Sequence, residues 1–177
     1  MDCNPELIAA AQNNTDKLGF SDRFVLHTGE LADTRFLENL RMEASPVQLV
    51  MANPPWRLVG SGRLPATEAR RKALFGDKGT FPLFTSAASS LLEEDGRFAC
   101  IISPDRLQDM LAALDGAGLT PYLLQYIHKQ KTSPATFVLI EARKGAHAKP
   151  SVAEPIALYG PERFFTLESL AFCPFLR

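Results

Sequence analysis

Four consecutive residues, Asn53-Pro54-Pro55-Trp56, carry groups that together suit the binding of a planar amine, and we call them the NPPW motif. The Asn53 side-chain oxygen and the Pro54 carbonyl can both accept hydrogen bonds from one exocyclic amino group. The two prolines lack N–H donors and have a restricted φ, so they stiffen the turn. Trp56 offers a flat face on which the ring bearing the amine can stack.

A clamp of this kind can support chemistry without a metal or a strong base. It can direct the nitrogen lone pair toward an electrophilic methyl group, which supplies positioning and charge stabilisation. The alternative interpretation is a rigid Pro-Pro turn with a buried tryptophan. The motif directly follows the apolar run 47–52, a predicted strand, and α/β sheets bind ligands beyond the carboxyl ends of their strands. This position favours the chemical interpretation.

Two acidic residues lie at comparable places upstream. Asp2 precedes the first predicted helix, and Glu30 follows a predicted strand over residues 23–28. A carboxylate after one strand can hold ribose hydroxyls, and a carboxylate after the next can accept a hydrogen bond from an adenine amine. Taken singly, each is also typical of a helix cap or a solvated surface.

The pattern of the whole chain predicts an α/β fold. The near-continuous apolarity of residues 47–52 predicts a strand covered on both faces, and therefore a mostly parallel sheet. Strands over 119–128 and 135–143 are too close together for a crossover helix, so they are predicted to pair antiparallel. The other predicted elements are helices at 5–18, 33–42, 81–92 and 105–117 and strands at 23–28 and 97–103.

Length and composition limit the class of protein. The chain has 177 residues, of which 46% are hydrophobic and 22% charged, which predicts one globular domain over residues 1–177. We expect a flexible connection at 145–155, followed by a short strand and helix. No apolar stretch approaches the roughly 18 residues of a membrane span, and no secretory leader is recognised, so we expect a cytoplasmic protein. The three cysteines and three histidines lack metal-ligand spacing, so no metal is expected.

Basic residues are concentrated in two segments. Residues 57–78 contain six basic and two acidic side chains, and residues 128–149 contain five basic and one acidic. If the fold brings these segments to one face, they can contact a polyanion. The alternative is two solvated loops.

These motifs resemble those of the class I S-adenosylmethionine-dependent methyltransferases, in particular the bacterial enzymes that methylate N6 of the adenine beside the anticodon of a valine tRNA. The resemblance rests on residues 2–6 (DCNPE), 28–31 (TGEL) and 52–56 (ANPPW), and it extends through 60–63, 94–98, 138–145 and 155–172. It implies a Rossmann-like α/β sheet that is mostly parallel, with an antiparallel C-terminal hairpin.

The resemblance also implies roles for individual residues, with S-adenosylmethionine as the cofactor and tRNA as the partner. The implied catalytic residues are Asn53, Pro54, Pro55 and Trp56. The implied cofactor-binding residues are Asp2, Cys3, Gly29, Glu30, Leu31 and Asn53. The implied phosphate contacts are Arg57, Arg63, Arg70, Arg71, Lys72, Lys129 and Lys131. Two alternatives stay open: methylation of a glutamine side chain in a protein, and an inactive, truncated methyltransferase.

One part of the family pattern has no counterpart here. The family has a strand and a Gly-rich turn before the position that matches Asp2, whereas this chain begins at Met1. We therefore expect an N-terminally truncated domain that lacks the first one or two strands of the sheet. Weakened cofactor binding and an exposed sheet edge prone to self-association would follow.

Overall fold

A computed structural model describes residues 1–44, 46–58, 65–145, 149–162 and 164–173. The chain divides into two compact units, Met1–Ser45 and Pro46–Arg177. No helix within the described residues is both long enough and apolar enough to cross a bilayer. That the chain forms a single methyltransferase domain stays a prediction.

The first unit contains two helices, α1 (Pro5–Leu18) and α2 (Thr34–Ala44), with a 3-10 turn at Ser21–Arg23 between them. Helix α1 begins where the sequence predicts, because the Asn4 side chain accepts a hydrogen bond from the Glu6 N–H at 2.9 Å. It ends at Gly19, whose φ of 69° is in the left-handed region that glycine adopts most readily.

The predicted strand over residues 23–28 is wrong. Its start is the end of the 3-10 turn, and its other end forms one isolated parallel bridge, Thr28 with Asp2. Strand residues need a partner along their length, whereas this bridge rests on two backbone bonds: Asp2 N–H to the His27 carbonyl and Gly29 N–H to the Asp2 carbonyl. The β-prone Phe24 and Val25 are exposed.

The second unit contains eight strands and four helices among its described residues. The strands are β1 (Val47–Ala52), β2 (Arg57–Leu58), β3 (Phe75–Gly76), β4 (Leu92–Ile102), β5 (Leu119–Gln130), β6 (Ala135–Lys144), β7 (Ser151–Val152) and β8 (Ile156–Tyr159). The helices are α3 (Glu68–Leu74), α4 (Thr80–Leu91), α5 (Leu107–Gly116) and α6 (Leu167–Phe172), and a 3-10 turn, Pro104–Arg106, precedes α5.

Six of these strands form one mixed sheet in the order β1-β4-β6-β5-β7, with β8 also paired to β5. Strand β1 is parallel to β4, β6 is antiparallel to β4 and β5, and β7 and β8 are parallel to β5. Only β6 therefore runs against the others. This confirms the predicted α/β sheet, mostly parallel with an antiparallel hairpin near its end. Strands β2 and β3 form a separate two-residue parallel pair.

The core of the second unit lies between the sheet and helices α4 and α5. Phe98, Ile102 and Val138 of the central strands are fully buried. Phe81 of α4 and Met110 of α5 are buried in the same cluster. Burial of this apolar area stabilises the fold by roughly 25 cal/mol per Å². Strand β1, which leads into the NPPW motif, packs against this close-packed interior.

Strand β1 has the predicted bounds but is not covered on both faces. Val50 and Ala52 pack against the core, whereas Leu49 and Met51, which alternate with them, are 41% and 76% exposed. The apolar run suggested two buried faces, but only the face toward the core has a described layer on it. Among the described residues, β1 is an edge strand of the sheet. Self-association through this edge stays a prediction.

The predicted flexible connection at 145–155 falls partly on residues 146–148, which lie outside the described part of the chain. Ser151 and Val152 in this stretch form β7, and the Ala153 N–H donates to the Leu124 carbonyl at 2.8 Å. The strand and helix expected after residue 155 are β8 and α6.

Candidate active site

The NPPW motif extends from the carboxyl end of β1. Ala52, the last residue of β1, is in register with Cys100 of the parallel strand β4. Pro54 is fully buried, whereas Asn53 beside it is exposed. The turn is thus anchored through its first proline, and the Asn53 amide is left accessible at the strand end.

Gly76 lies against the motif. A Cβ atom at this residue would be 2.4 Å from the Pro55 carbonyl oxygen and 2.7 Å from the Thr80 hydroxyl oxygen. Strand β2, which directly follows the motif, is parallel to β3, with Leu58 in register with Gly76. Because a side chain would collide with backbone here, this close approach requires glycine.

Trp56 is half-buried and packs against the core, and its ring also meets an aromatic ring and a cation. The Phe137 ring packs edge-on at a centroid separation of 6.1 Å and an angle of 75°. The Arg57 guanidinium carbon lies over the indole, 5.3 Å from its centroid, in cation–π geometry. A planar ring that stacks on this face must therefore displace the exposed Arg57 side chain.

Arg106, which sequence reasoning did not select, contacts the motif from the next strand end. Its Nη1 donates to the Trp56 carbonyl oxygen at 2.7 Å, and its Nε donates to Asp109 Oδ2 at 2.7 Å. One signal could have indicated it: residues 103–106 follow β4 as the NPPW motif follows the parallel strand β1. Polar groups after neighbouring parallel strands share one edge of a sheet.

The basic candidates are placed by the same topology. Strand β5 runs in the direction of β1, so Lys129 near its end and Lys131 in the following turn lie at the sheet edge that carries the NPPW motif. The remaining described candidates are Arg57, which directly follows the motif, and Arg70, Arg71 and Lys72, which are on α3 between β2 and β3. All six are exposed. Arg63 and the glycines of residues 60–62 lie outside the described residues.

The first unit brings its cofactor-binding candidates together around the Asp2–Thr28 bridge. This bridge places Asp2 and Cys3 beside the segment of Gly29, Glu30 and Leu31. One oxygen of the Asp2 carboxylate accepts the Asn4 N–H at 2.8 Å. The Cys3 and Glu30 side chains are exposed. The sixth candidate, Asn53, belongs to the other unit.

Local contacts fix the turn that carries Glu30. The Asp33 N–H donates to the Glu30 carbonyl at 3.0 Å, and the Asp33 carboxylate in turn accepts the Arg35 N–H at 2.9 Å, at the start of α2. A Cβ atom on Gly29 would lie 2.3 Å from the Phe36 ring, so the absence of a side chain at Gly29 lets this ring of α2 pack closely on the turn. The Glu30 carboxylate therefore projects from a defined backbone turn.

Other reactive groups are not arranged for catalysis. Burial raises the pKa of the Cys100 thiol to about 12, so this cysteine stays protonated and is a poor nucleophile. Asp16, whose pKa is lowered by hydrogen bonds from Ser21 and then Gln12, is an exposed residue near the end of α1. Within the described ranges, no three histidine, cysteine or acidic side chains cluster as metal ligands.

No protein-family profile and no curated protein sequence matches the chain. Solved structures do match. A predicted O-methyltransferase from Agrobacterium tumefaciens is 18% identical with a TM-score of 0.72, covering 98% of this chain and 73% of the other. A proposed rRNA methylase from Clostridium thermocellum is 20% identical with a TM-score of 0.51, covering 80% and 72%. The modification subunit of a proposed type I restriction enzyme from Vibrio vulnificus is 13% identical with a TM-score of 0.55, covering 98% and 39%.

At these identities the likeness is one of fold. The chain has the Rossmann-like α/β fold found in methyltransferases, and its solved neighbours include proteins described as acting on quite different substrates. The substrate must therefore be argued from the site.

Proposed function

We propose that this protein transfers a methyl group from S-adenosylmethionine to the N6 amine of an adenine in the anticodon loop of a tRNA. The observation that carries the proposal is the exposed Asn53 beside the buried Pro54, at the carboxyl end of β1 in a methyltransferase fold. Asn53 offers an exposed amide acceptor to an amino group at the edge of the sheet where α/β folds bind their ligands, and the carbonyl of the buried Pro54 is the second acceptor of the proposed clamp.

The residues of the motif act by holding the amine. The Asn53 side-chain oxygen and the Pro54 carbonyl accept its two N–H groups and orient the lone pair away from the ring plane. The nitrogen would then form a bond to the methyl group as the bond between that group and the sulfonium sulfur breaks, with a neutral thioether as the leaving group, and it would release one proton to water. Because both acceptors favour the positive charge that develops on the nitrogen, no general base of raised pKa is required.

The cofactor would supply an electrophilic methyl group bound to a sulfonium. The donor set of the first unit fits its adenosyl part: one Asp2 oxygen satisfies the Asn4 N–H, which leaves the other for a ribose hydroxyl, and the exposed Glu30 carboxylate can accept from an adenine amine. Cys3, Gly29 and Leu31 flank these two carboxylates and would line the adenosyl part.

The polyanionic partner is supported by the exposed cations at the sheet edge of the motif. Lys129, Lys131 and Arg57 are at this edge, with Arg70, Arg71 and Lys72 on α3. Cations on phosphates add affinity that falls steeply with salt. Arg57, displaced from the Trp56 ring by an incoming base, would be free to contact the RNA backbone.

A second candidate substrate is a glutamine side chain in a protein. The observation that favours it is the Arg57 guanidinium over Trp56, because a slender amide could reach Asn53 without displacing it. The amide offers the same NH2 group to the motif, but it has no aromatic ring to stack.

The test is transfer of a labelled methyl group to unmodified tRNA and, separately, to a glutamine-containing peptide. We expect labelled tRNA, and we expect Asn53→Ala to lower the rate about 10²- to 10³-fold, as for loss of a transition-state hydrogen bond. Asn13→Ala, a change at an exposed asparagine of α1, is the matched control and should leave the rate unchanged.

Labelling of the peptide alone would favour the glutamine substrate. Transfer to tRNA that survives Asn53→Ala would refute the role of the motif. No transfer to either substrate would mean that the chain is inactive on its own.

A further inference from the structure

Arg106 is a charged side chain in a place where charge is costly. It is only 3% exposed, at the end of the 3-10 turn that precedes α5. A buried charge destabilises a fold unless partners replace its lost hydration. The groups that contact the Arg106 guanidinium therefore indicate the structural role of this residue.

Among the described residues, three groups contact the guanidinium: one follows β1, one is on α5 and one is on α4. Nη1 donates to the Trp56 carbonyl at 2.7 Å, and Nε donates to Asp109 Oδ2 at 2.7 Å. The guanidinium carbon lies 4.5 Å from the centroid of the buried Phe81 ring on α4. Asp109 and Phe81 thus fix the plane of the guanidinium. In this plane Nη1 is directed at the Trp56 carbonyl of the NPPW motif.

The NPPW motif needs such an external donor because of its own composition. Pro54 and Pro55 have no N–H groups, so neither can make a backbone hydrogen bond as a donor. The carbonyl oxygens of the motif remain as acceptors that need a donor, and the Trp56 carbonyl is the one that Arg106 holds. The contact spans fifty residues of sequence and ties the end of β1 to the end of the parallel strand β4.

We propose that Arg106 is a positioning residue for methyl transfer: through the Trp56 carbonyl it sets the conformation of the NPPW motif, and so the direction of the Asn53 and Pro54 acceptors. Its catalytic consequence rests on the proposed function, whereas its hold on the motif does not. A misplacement of reacting groups by about 1 Å can cost about 100-fold in rate. A loosened motif is expected to lower kcat while leaving the KM for RNA nearly unchanged, since Arg106 is only 3% exposed and offers a bound RNA almost no surface.

The single tryptophan of the chain is Trp56, so its fluorescence reports on the motif directly. In Arg106→Gln we expect a red-shifted emission and stronger quenching by acrylamide, with an unchanged far-UV circular dichroism spectrum. Arg106→Lys keeps one donor but not the planar fork, so it should recover part of the wild-type signal. Arg97→Gln removes an exposed arginine of β4 that is in register with Leu49 of β1, and it is the matched control.

The kinetic expectation for Arg106→Gln is a kcat about 10- to 100-fold lower. A folded Arg106→Gln protein with wild-type Trp56 emission and quenching would overturn the proposal, whatever its activity. If Arg106→Gln does not fold, Asp109→Asn is the second test. It weakens the contact that holds the plane of the Arg106 guanidinium, and it changes a side chain that is 60% exposed. Asp109→Asn is expected to increase quenching of Trp56 less than Arg106→Gln would, and no increase would refute the proposal.

The two proposals can fail separately. Stronger Trp56 quenching in Arg106→Gln, together with a wild-type protein that methylates nothing, would support the hold on the motif and remove the proposed function.

Discussion

The two units of the chain are stabilised in different ways. The second unit has a close-packed core in which Phe98, Ile102 and Val138 are fully buried. In the described part of the first unit only Thr15 and Leu40 are buried, and apolar side chains such as Val25 and Met42 are exposed. Helix caps, short turns and a single strand bridge hold the first unit instead.

The candidate catalytic residues and the candidate cofactor-binding residues differ in the same way. The NPPW motif, which in the proposed reaction presents its acceptors in a fixed direction, is on the unit with the core. Asp2 and Glu30 are on the unit held by local hydrogen bonds, which is typical of regions that open at low free-energy cost. We therefore expect a rigid NPPW turn and a more adaptable set of candidate adenosyl-binding residues.

The largest expected effect is in the core. Phe98→Ala should lower the free energy of unfolding of the second unit by about 3 to 5 kcal/mol, because it removes a fully buried ring from β4. Urea denaturation followed by Trp56 fluorescence measures it. Phe24→Ala, an exposed ring of the first unit, is the control and should change stability by less than about 0.5 kcal/mol. An equal loss of unfolding free energy in Phe98→Ala and Phe24→Ala would contradict the distinction between the two units.

A smaller effect is expected where the core meets the NPPW motif. In Gly76→Ala the new methyl group would collide with the Pro55 carbonyl and the Thr80 hydroxyl, at a cost of about 1 to 3 kcal/mol. Thermal unfolding together with Trp56 emission checks both the stability and the motif. Gly79→Ala nearby is the control, since the nearest atom to its Cβ would be 3.4 Å away. Unchanged stability and emission in Gly76→Ala would mean that the motif is less rigid than its packing indicates.

The corresponding change in the first unit should be weaker. Gly29→Ala places a methyl group in the Phe36 ring, but that ring is on a helix with little core behind it, so we expect about 1 kcal/mol or less. Hydrogen exchange of the α2 amides measures the local loss. A double-mutant cycle with Phe36→Ala should recover most of it. A loss as large as that of Gly76→Ala would show that both units are equally stiff.

The smallest effect concerns the reactivity and ionisation of the cysteine thiols. Exposed Cys3 should react with a thiol reagent at pH 8, whereas buried Cys100 should react only on unfolding. Because burial raises the pKa of Cys100 from 9.0 to about 12, the unfolded chain loses this proton first as the pH rises. The contribution of the Cys100 thiol to the free energy of unfolding is therefore fully present below about pH 9, and it decreases between pH 9 and 12. Rapid labelling of Cys100 in the folded protein would contradict a closed core.

Local signals in the sequence predicted much of the fold. The Asn4 cap and Gly19 stop set the bounds of α1, the run 47–52 is β1, and the short gap after β5 gives the antiparallel hairpin. Each depends on a few neighbouring residues, which is why sequence alone suffices.

The errors concern features that depend on distant partners. Residues 23–28 have strand-forming side chains, yet only Thr28 finds a strand-like partner, in Asp2. Met51 is apolar, yet no described layer covers it. Arg106 reads as a surface residue of a helix start until the fold places the Trp56 carbonyl beside it. Local sequence patterns do not carry this information.

The central claim is that the NPPW motif directs methylation to an exocyclic amine of adenine. The most direct measurement is mass spectrometry of nucleosides from unmodified tRNA treated with the full chain and S-adenosylmethionine, beside the same reaction with Asn53→Ala. We predict N6-methyladenosine that accumulates with the wild-type protein and is nearly lost with the variant. A methyl group on a ribose oxygen or a ring nitrogen, or equal N6-methyladenosine from both proteins, would contradict the claim.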